Sequence, residues 1–191
     1  MIAVVDYGIG NLFSASKALA KVHSDVRLVA TPDALEDASA VVVPGVGDFG
    51  ACMTAFRTTG FADAVSALVG EGRPLLGVCV GMQMLFEGSD EAPNCDGLGI
   101  FEGVVQRMVD TPRLPHMQWN QLSIRPVPDS PLGAAMLDAV SPDPWVYFVH
   151  SYAVGRSDHT LATATYGAPF AAMVGSGSVV GTQFHPEKSS T

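Results

Sequence analysis

The chain is poor in cysteine, in basic residues and in long apolar runs, and each shortage removes a class of protein. Three cysteines, Cys52, Cys79 and Cys95, occur in 191 residues. Their number is odd and none share a CxxC spacing, which argues against a disulfide framework or a structural zinc site and for reduced thiols in a cytoplasmic protein. Lysine and arginine number 10 against 19 aspartate and glutamate, for a net charge of −9. A nucleic-acid binder neutralises phosphates with clustered cations, and docking on anionic lipid needs the same, so neither partner is expected. No apolar run reaches the roughly 18–20 residues of a membrane span. Met1-Ile-Ala-Val-Val-Asp6 lacks a basic segment ahead of an apolar stretch, so it reads as a strand and not as a signal peptide. The five histidines show no ligand spacing, so neither a metal nor another cofactor is expected.

What remains is a chain that can build a core: 48% of it is hydrophobic and 15% charged, which suits a single domain over 1–191. Ile2–Val5, Val26–Val29, Val41–Val43 and Leu75–Val78 read as strands. Helical stretches lie between them: one capped by Asn11 with Leu12, Ala15, Leu19 and Val22 inward, one capped by Asp48 and running to about Thr58, and one from Phe61 to Val69. Continuous apolar strands separated by helices indicate an α/β fold with a parallel sheet buried on both faces. From Val104 onward the runs are shorter and alternate. Val104–Met108, Leu122–Ile124, Trp145–His150, Leu161–Ala164, Ala171–Val174 and Val179–Phe184 are expected as mixed or antiparallel strands, with one helix at Leu132–Leu137.

The chemistry gathers at three places. Gly77-Val-Cys79-Val-Gly81 follows a strand and precedes a helical segment, Met82 to Phe86. It is the cysteine form of the strand–turn–helix elbow, with glycines leaving room for a sharp turn. Such an elbow sets the sulfur at the positive end of a helix, which favours the thiolate, and aims the Val80 N–H at the carbonyl under attack. Taken alone, Cys79 could equally be a buried inert thiol. In the second place, His185 leaves the end of a strand, Pro186 bars its continuation, and Glu187 can reach the imidazole to hold its tautomer. On its own this tripeptide reads more readily as a solvated loop. The third is Pro44-Gly45-Val46-Gly47, a loop on the same carboxyl edge of the sheet, where open α/β sheets hold ligands; its N–H groups can serve as the second oxyanion donor. Gly8-Ile-Gly10-Asn11 lacks the third glycine of a dinucleotide fingerprint.

Together, Gly77-Val-Cys79-Val-Gly81-Met-Gln83 and Phe184-His185-Pro-Glu187 resemble the nucleophile and base motifs of the class I glutamine amidotransferases. The resemblance implies a flavodoxin-like, largely parallel mixed sheet with flanking helices. Four further segments, Asp6–Asn11, Pro44–Gly50, Leu114–Asn120 and Tyr147–Tyr152, are similar to the branch of that family serving imidazole glycerol phosphate synthesis in histidine biosynthesis. It implies that Cys79 attacks the side-chain amide of L-glutamine, that His185 and Glu187 act as base and orienter, and that Val80 and the Gly45, Val46, Gly47 loop hold the oxyanion. Gln83 and the backbone at His150, Ser151 and Tyr152 would hold the substrate's ends. Ammonia would pass to a (βα)8-barrel cyclase docked near Asn11, Trp119, Asn120 and Lys188, which are otherwise ordinary surface residues. Low activity without that partner is expected, because a glycine-rich oxyanion loop can hold two peptide orientations. Two positions depart from the family pattern: Val80 replaces leucine, and Gln118 replaces glycine, which puts the backbone there in question. A final helix beyond Thr191 is expected behind the base. Competing readings are a glutaminase of vitamin B6 or anthranilate synthesis, another hydrolase on the same elbow, and a non-catalytic subunit with a relic site.

Overall fold

The computed structural model describes residues 1–125 and 129–189. The first half alternates strand and helix: β1 (Ile2–Val5), α1 (Leu12–Ala20), β2 (Val26–Val29), a 3-10 turn (Pro32–Leu35), β3 (Ala40–Gly45), α2 (Phe49–Thr58), α3 (Phe61–Gly70), β4 (Leu75–Cys79) and the short α4 (Val80–Gln83). The second half is mostly strand: β5 (Gly88–Ser89), β6 (Val104–Arg107), β7 (His116–Gln121), β8 (Ser123–Ile124), α5 (Pro131–Asp138), β9 (Trp145–His150), β10 (Tyr152–Ala153), β11 (Thr160–Tyr166), β12 (Ala168–Ser176), β13 (Val179–Thr182) and a 3-10 turn at Pro186–Lys188.

Eight strands form the main sheet in the order β2-β1-β3-β4-β13-β12-β11-β8. Pairing is parallel from β2 through β13 and antiparallel beyond it. The inner parallel strands are continuous apolar runs because both faces are covered, whereas the edge strand β2 exposes Arg27 and Leu28. Val179 and Val180 of β13 enter different apolar clusters, as alternation across a strand requires. One cluster takes Phe49, Phe56 and Phe61 of α2 and α3, all fully buried. At about 1.5–3 kcal/mol for each buried large apolar side chain, these anchor the helices to the sheet. The other gathers Phe148, Phe170 and Phe184.

Insertion of β13 beside β4 sets the site. The two lie parallel, with Thr182 opposite Val78, so the chain leaving β13 emerges beside Cys79. Asp48 caps α2 as its position predicts, its Oδ1 accepting from Ala51 N at 2.7 Å, a contact worth about 1 kcal/mol.

Several expectations change. Asn11 occupies the cap position of α1 but its side chain makes no cap hydrogen bond. The helix ends at Ala20, so Val22 lies beyond the inward face and is 81% exposed. The strand expected to reach Phe184 stops at Thr182, and the expected Leu161–Ala164 and Ala171–Val174 strands extend into the longer β11 and β12. Strand β7 was not expected: it pairs with β9 as a two-stranded ribbon apart from the main sheet and buries only His116, so no apolar alternation betrays it. Gln118 lies within this strand and is not among the residues of positive φ, so its backbone needs no glycine. Among the described residues no helix is long and apolar enough to cross a membrane, and no cluster of His, Cys, Asp and Glu could hold a metal.

Candidate active site

Strand β4 runs into α4 without a loop, and Cys79 makes the turn with φ 56° and ψ −113°. A side chain held there costs about 1–3 kcal/mol, repaid by the packing around it. That packing depends on backbones touching. A Cβ on Gly81 would strike the carbonyl of Val43, and one on Gly45 would lie 2.5 Å from the Gly81 nitrogen. The glycines flanking the cysteine are therefore required by close approach of β3, β4 and α4. The sulfur sits at the start of α4, where the first N–H groups, that of Val80 foremost, have no partner within the helix.

The candidate base, His185, arrives from β13. His185 N donates to Tyr147 O at 3.0 Å, and Ser189 Oγ donates to His185 O at 2.8 Å. Pro186 opens the 3-10 turn that brings Glu187 back, so that His185 Nδ1 lies 2.8 Å from Glu187 Oε1. Both side chains are nearly buried, 2% and 6% exposed. A carboxylate accepts only, so Nδ1 carries the proton of this bond. Nε2 is buried and makes no hydrogen bond among the described residues. Burial opposes a charge on this ring, but the Cys79 sulfur and the Glu187 carboxylate outweigh it and push His185 up to about 9. The protonated form of the imidazole is thus favoured beside the Cys79 sulfur.

Both groups open onto one pocket of about 400 Å³. Val46 and Gly47 of the glycine-rich loop line it, with Val80 and Gln83 of α4; His150, Ser151 and Tyr152 form the far wall. A strained cysteine at a helix start, a buried histidine held by a carboxylate, and a glycine loop across the mouth are the parts of a thiol acyl-transfer site.

The profile of class-I glutamine amidotransferases matches residues 3–191. The chain belongs to that family. It is 44% identical over 194 residues to the imidazole glycerol phosphate synthase subunit HisH of Synechococcus sp. (strain CC9902), covering 99% of this chain and 88% of that one. The subunit of the same name from Mycobacterium bovis is 45% identical over 193 residues, with 98% and 90% covered. A solved glutamine amidotransferase superposes with a TM-score of 0.75 at 23% identity, over 98% of this chain and 91% of that one. The structure of PurLQS from Thermotoga maritima gives 0.74 at 19%, over 98% and 87%. At these identities the two structures speak for the fold alone.

In this amidotransferase the walls are built by hydrogen bonds. Tyr7 Oη donates to Pro44 O at 2.7 Å and Cys52 Sγ to Val46 O at 3.4 Å, so two carbonyls of the glycine-rich loop are held from below. Gln83 Nε2 donates to Tyr152 O at 3.1 Å and to Gln183 Oε1 at 3.0 Å. His150 Nδ1 also bonds Tyr152 O, at 2.9 Å, and His150 Nε2 lies 3.0 Å from His116 Nδ1. Burial pushes His150 down to about 3 and lowers His116 too.

Not every expected residue reaches the pocket. Gly45 is buried in β3 beside Gly81. Of the expected partner face, Lys188 is exposed on the pocket rim, its Nζ 5.8 Å over the Tyr147 ring, and Trp119 lies edge-on to the same ring at 5.9 Å and is 41% exposed. Asn11 lies just before α1, a helix that packs against the turn carrying Lys188. Asn120 is committed inward: its amide donates to Thr165 O at 2.9 Å, and its oxygen faces His116 Nε2 at 3.1 Å. Sequence reasoning missed Glu91 and Gln183. Glu91 lines the pocket and accepts from Phe49 N at 2.9 Å, and burial raises its carboxyl. It lies in an irregular segment with no periodicity, so only the folded chain points it out. Gln183 stands two residues before the base, where the motif itself could have drawn notice.

Proposed function

We propose that this chain, one amidotransferase domain, hydrolyses L-glutamine to L-glutamate and ammonia through Cys79, His185 and Glu187, as the glutaminase subunit of imidazole glycerol phosphate synthase in histidine biosynthesis. The observation that carries the chemistry is the strained Cys79 sharing one pocket with a His185 that Glu187 holds. The pathway is supported by 44–45% identity over nearly the whole chain to subunits of that synthase.

The Cys79 thiolate attacks the side-chain carbonyl of glutamine. The tetrahedral oxyanion is taken by the Val80 N–H and an N–H of the Val46–Gly47 loop. His185 gives its Nε2 proton to the departing nitrogen, which leaves as ammonia with the C–N electron pair, and a thioester remains. The neutral imidazole then takes a proton from water, hydroxide adds to the thioester, and collapse releases glutamate and restores the thiolate–imidazolium pair. Glu187 accepts from Nδ1 throughout and keeps the tautomer that points Nε2 at the sulfur. On the pocket wall, Glu91 is the carboxylate available to the substrate's ammonium group, and Lys188 is the lysine available to its carboxylate. Gln83, with both amide protons committed, has only its oxygen to offer.

Ammonia passes to a (βα)8-barrel cyclase subunit docked on the rim that carries Trp119, Tyr147 and Lys188. The test is glutamate formation by wild type and Cys79→Ala, alone and mixed with a barrel cyclase and its nucleotide ligand. Turnover by wild type with the partner and none by the variant supports the whole reading. A wild type inactive with that cyclase, yet labelled at Cys79 by a glutamine-like electrophile, keeps the chemistry and refutes the pathway. A Cys79 that reacts with neither refutes the enzyme.

A further inference from the structure

A hydrogen-bond chain behind the nucleophile assigns a role to a residue outside the triad. Tyr152 O is a carbonyl and can only accept, so the amide face of Gln83 bonded to it at 3.1 Å is nitrogen. The same nitrogen's other proton goes to Gln183 at 3.0 Å, so the Gln183 atom there is oxygen. The far side of the Gln183 amide is then its NH2, and it lies 3.8 Å from Cys79 Sγ. The orientation of this amide is therefore not free: a main-chain carbonyl two hydrogen bonds away dictates that a donor faces the sulfur. Gln183 is fully buried and Gln83 is 3% exposed, so water does not compete for these groups. The Gln183 main chain is held as well, its N–H bonded to Ala172 O at 2.9 Å.

We infer that Gln183 is a further catalytic residue, one that donates a hydrogen bond to the Cys79 sulfur and favours its ionised form. The inference rests on the glutaminase reading for its purpose, but its physical content concerns the sulfur alone. A donor aimed at sulfur binds the thiolate more strongly than the thiol, because a charged acceptor makes the stronger bond. His185 supplies the proton acceptor on one side, and Gln183 supplies a neutral donor that removes no proton and does not leave with the product.

The test reads the sulfur directly. Gln183→Met keeps nearly the same length and an apolar fit while removing the donor. Alkylation of Cys79 by iodoacetamide, followed by the mass of the Cys79 peptide, is measured from pH 6 to pH 10 in wild type and variant. At pH 7 the variant reacts about threefold to tenfold more slowly, because less of its sulfur is ionised. At pH 10, where both are ionised, it reacts as fast or faster, because an unbonded thiolate is the better nucleophile. A merely structural role would slow or speed both ends alike and give no crossing. Equal rates at pH 7, or a uniform change at every pH, overturns the inference. If Gln183→Met does not fold, Gln83→Leu carries the test: it frees the Gln183 amide to rotate and slows alkylation at pH 7 about twofold to threefold, again with crossing, and an unchanged profile overturns the inference. Glutamine turnover measured alongside separates the two claims. A wild-type Cys79 that neither supports turnover with the partner bound nor reacts with a glutamine-like electrophile removes the glutaminase reading, whereas an unaltered alkylation profile removes Gln183.

Discussion

Replacing Glu187 by glutamine changes one charge and almost no shape, and its effect follows from His185. The imidazole rises from 6.5 to about 9 in the folded chain, which corresponds to roughly 3 kcal/mol in favour of its protonated form. Burial pulls the other way, so Cys79 and Glu187 together supply more than that. Cys79 is the larger contributor, and Glu187 is taken as worth about 1.5–2 kcal/mol, or a factor of about 10–30. The side chain is 2% exposed, so solvent does not discount the figure. Glu187→Gln still accepts from Nδ1 and keeps the tautomer, so kcat/KM for glutamine falls by about 10-fold to 30-fold rather than vanishing. The pH profile gives the sharper signature. Protonated His185 is needed to expel ammonia, so wild-type activity is present below about 9 and lost as pH rises through it. In Glu187→Gln that alkaline limb moves toward neutrality. The assay is glutamate release with the partner bound, from pH 6 to pH 10. An alkaline limb that stays in place, together with unchanged kcat/KM, would refute the argument that Glu187 sustains the imidazolium.

Three other expectations are open to measurement. Cys79 holds φ 56°, so Cys79→Gly unfolds at a higher urea concentration than Cys79→Ala by about 1 kcal/mol, the reverse of the usual order; alanine proving the more stable would remove the strain from the elbow. Tyr7→Phe strips the donor from Pro44 O; it costs about 1–3 kcal/mol of stability and lowers kcat, and a variant with both unchanged would free the loop from that contact. Burial lowers both His116 and His150, the latter to about 3. The unfolded chain therefore binds protons that the folded chain refuses below about pH 6.5. Stability falls as pH drops from there, at close to 1.4 kcal/mol per pH unit for His150 near pH 5, and His150→Gln flattens the curve. Three bonds run from Tyr152 O through His150 and His116 to Asn120, and two neutral rings carry only two protons. A flat wild-type curve would therefore show that the pair keeps a third.

Much of this was legible along the chain because it is local. The parallel half announces itself in apolar runs broken by helices, since strands covered on both faces need no polar residues. Gly77 to Gly81 betrays a turn that only small neighbours allow, and Glu187 stands two residues from His185, close enough to be read as its orienter. Strand β7, the partner of the expected β9, escaped notice because it buries only His116 and so carries no alternation. Glu91 escaped because an irregular segment has no period. What the sequence could not decide is which distant groups meet. The hydrogen bonds from Gln83 to Gln183 and from Gln183 to Cys79 span 100 and 104 residues. They exist because β13 is inserted in parallel beside β4, and the pairing of strands so far apart is set by how the whole core packs, not by any pattern within either strand.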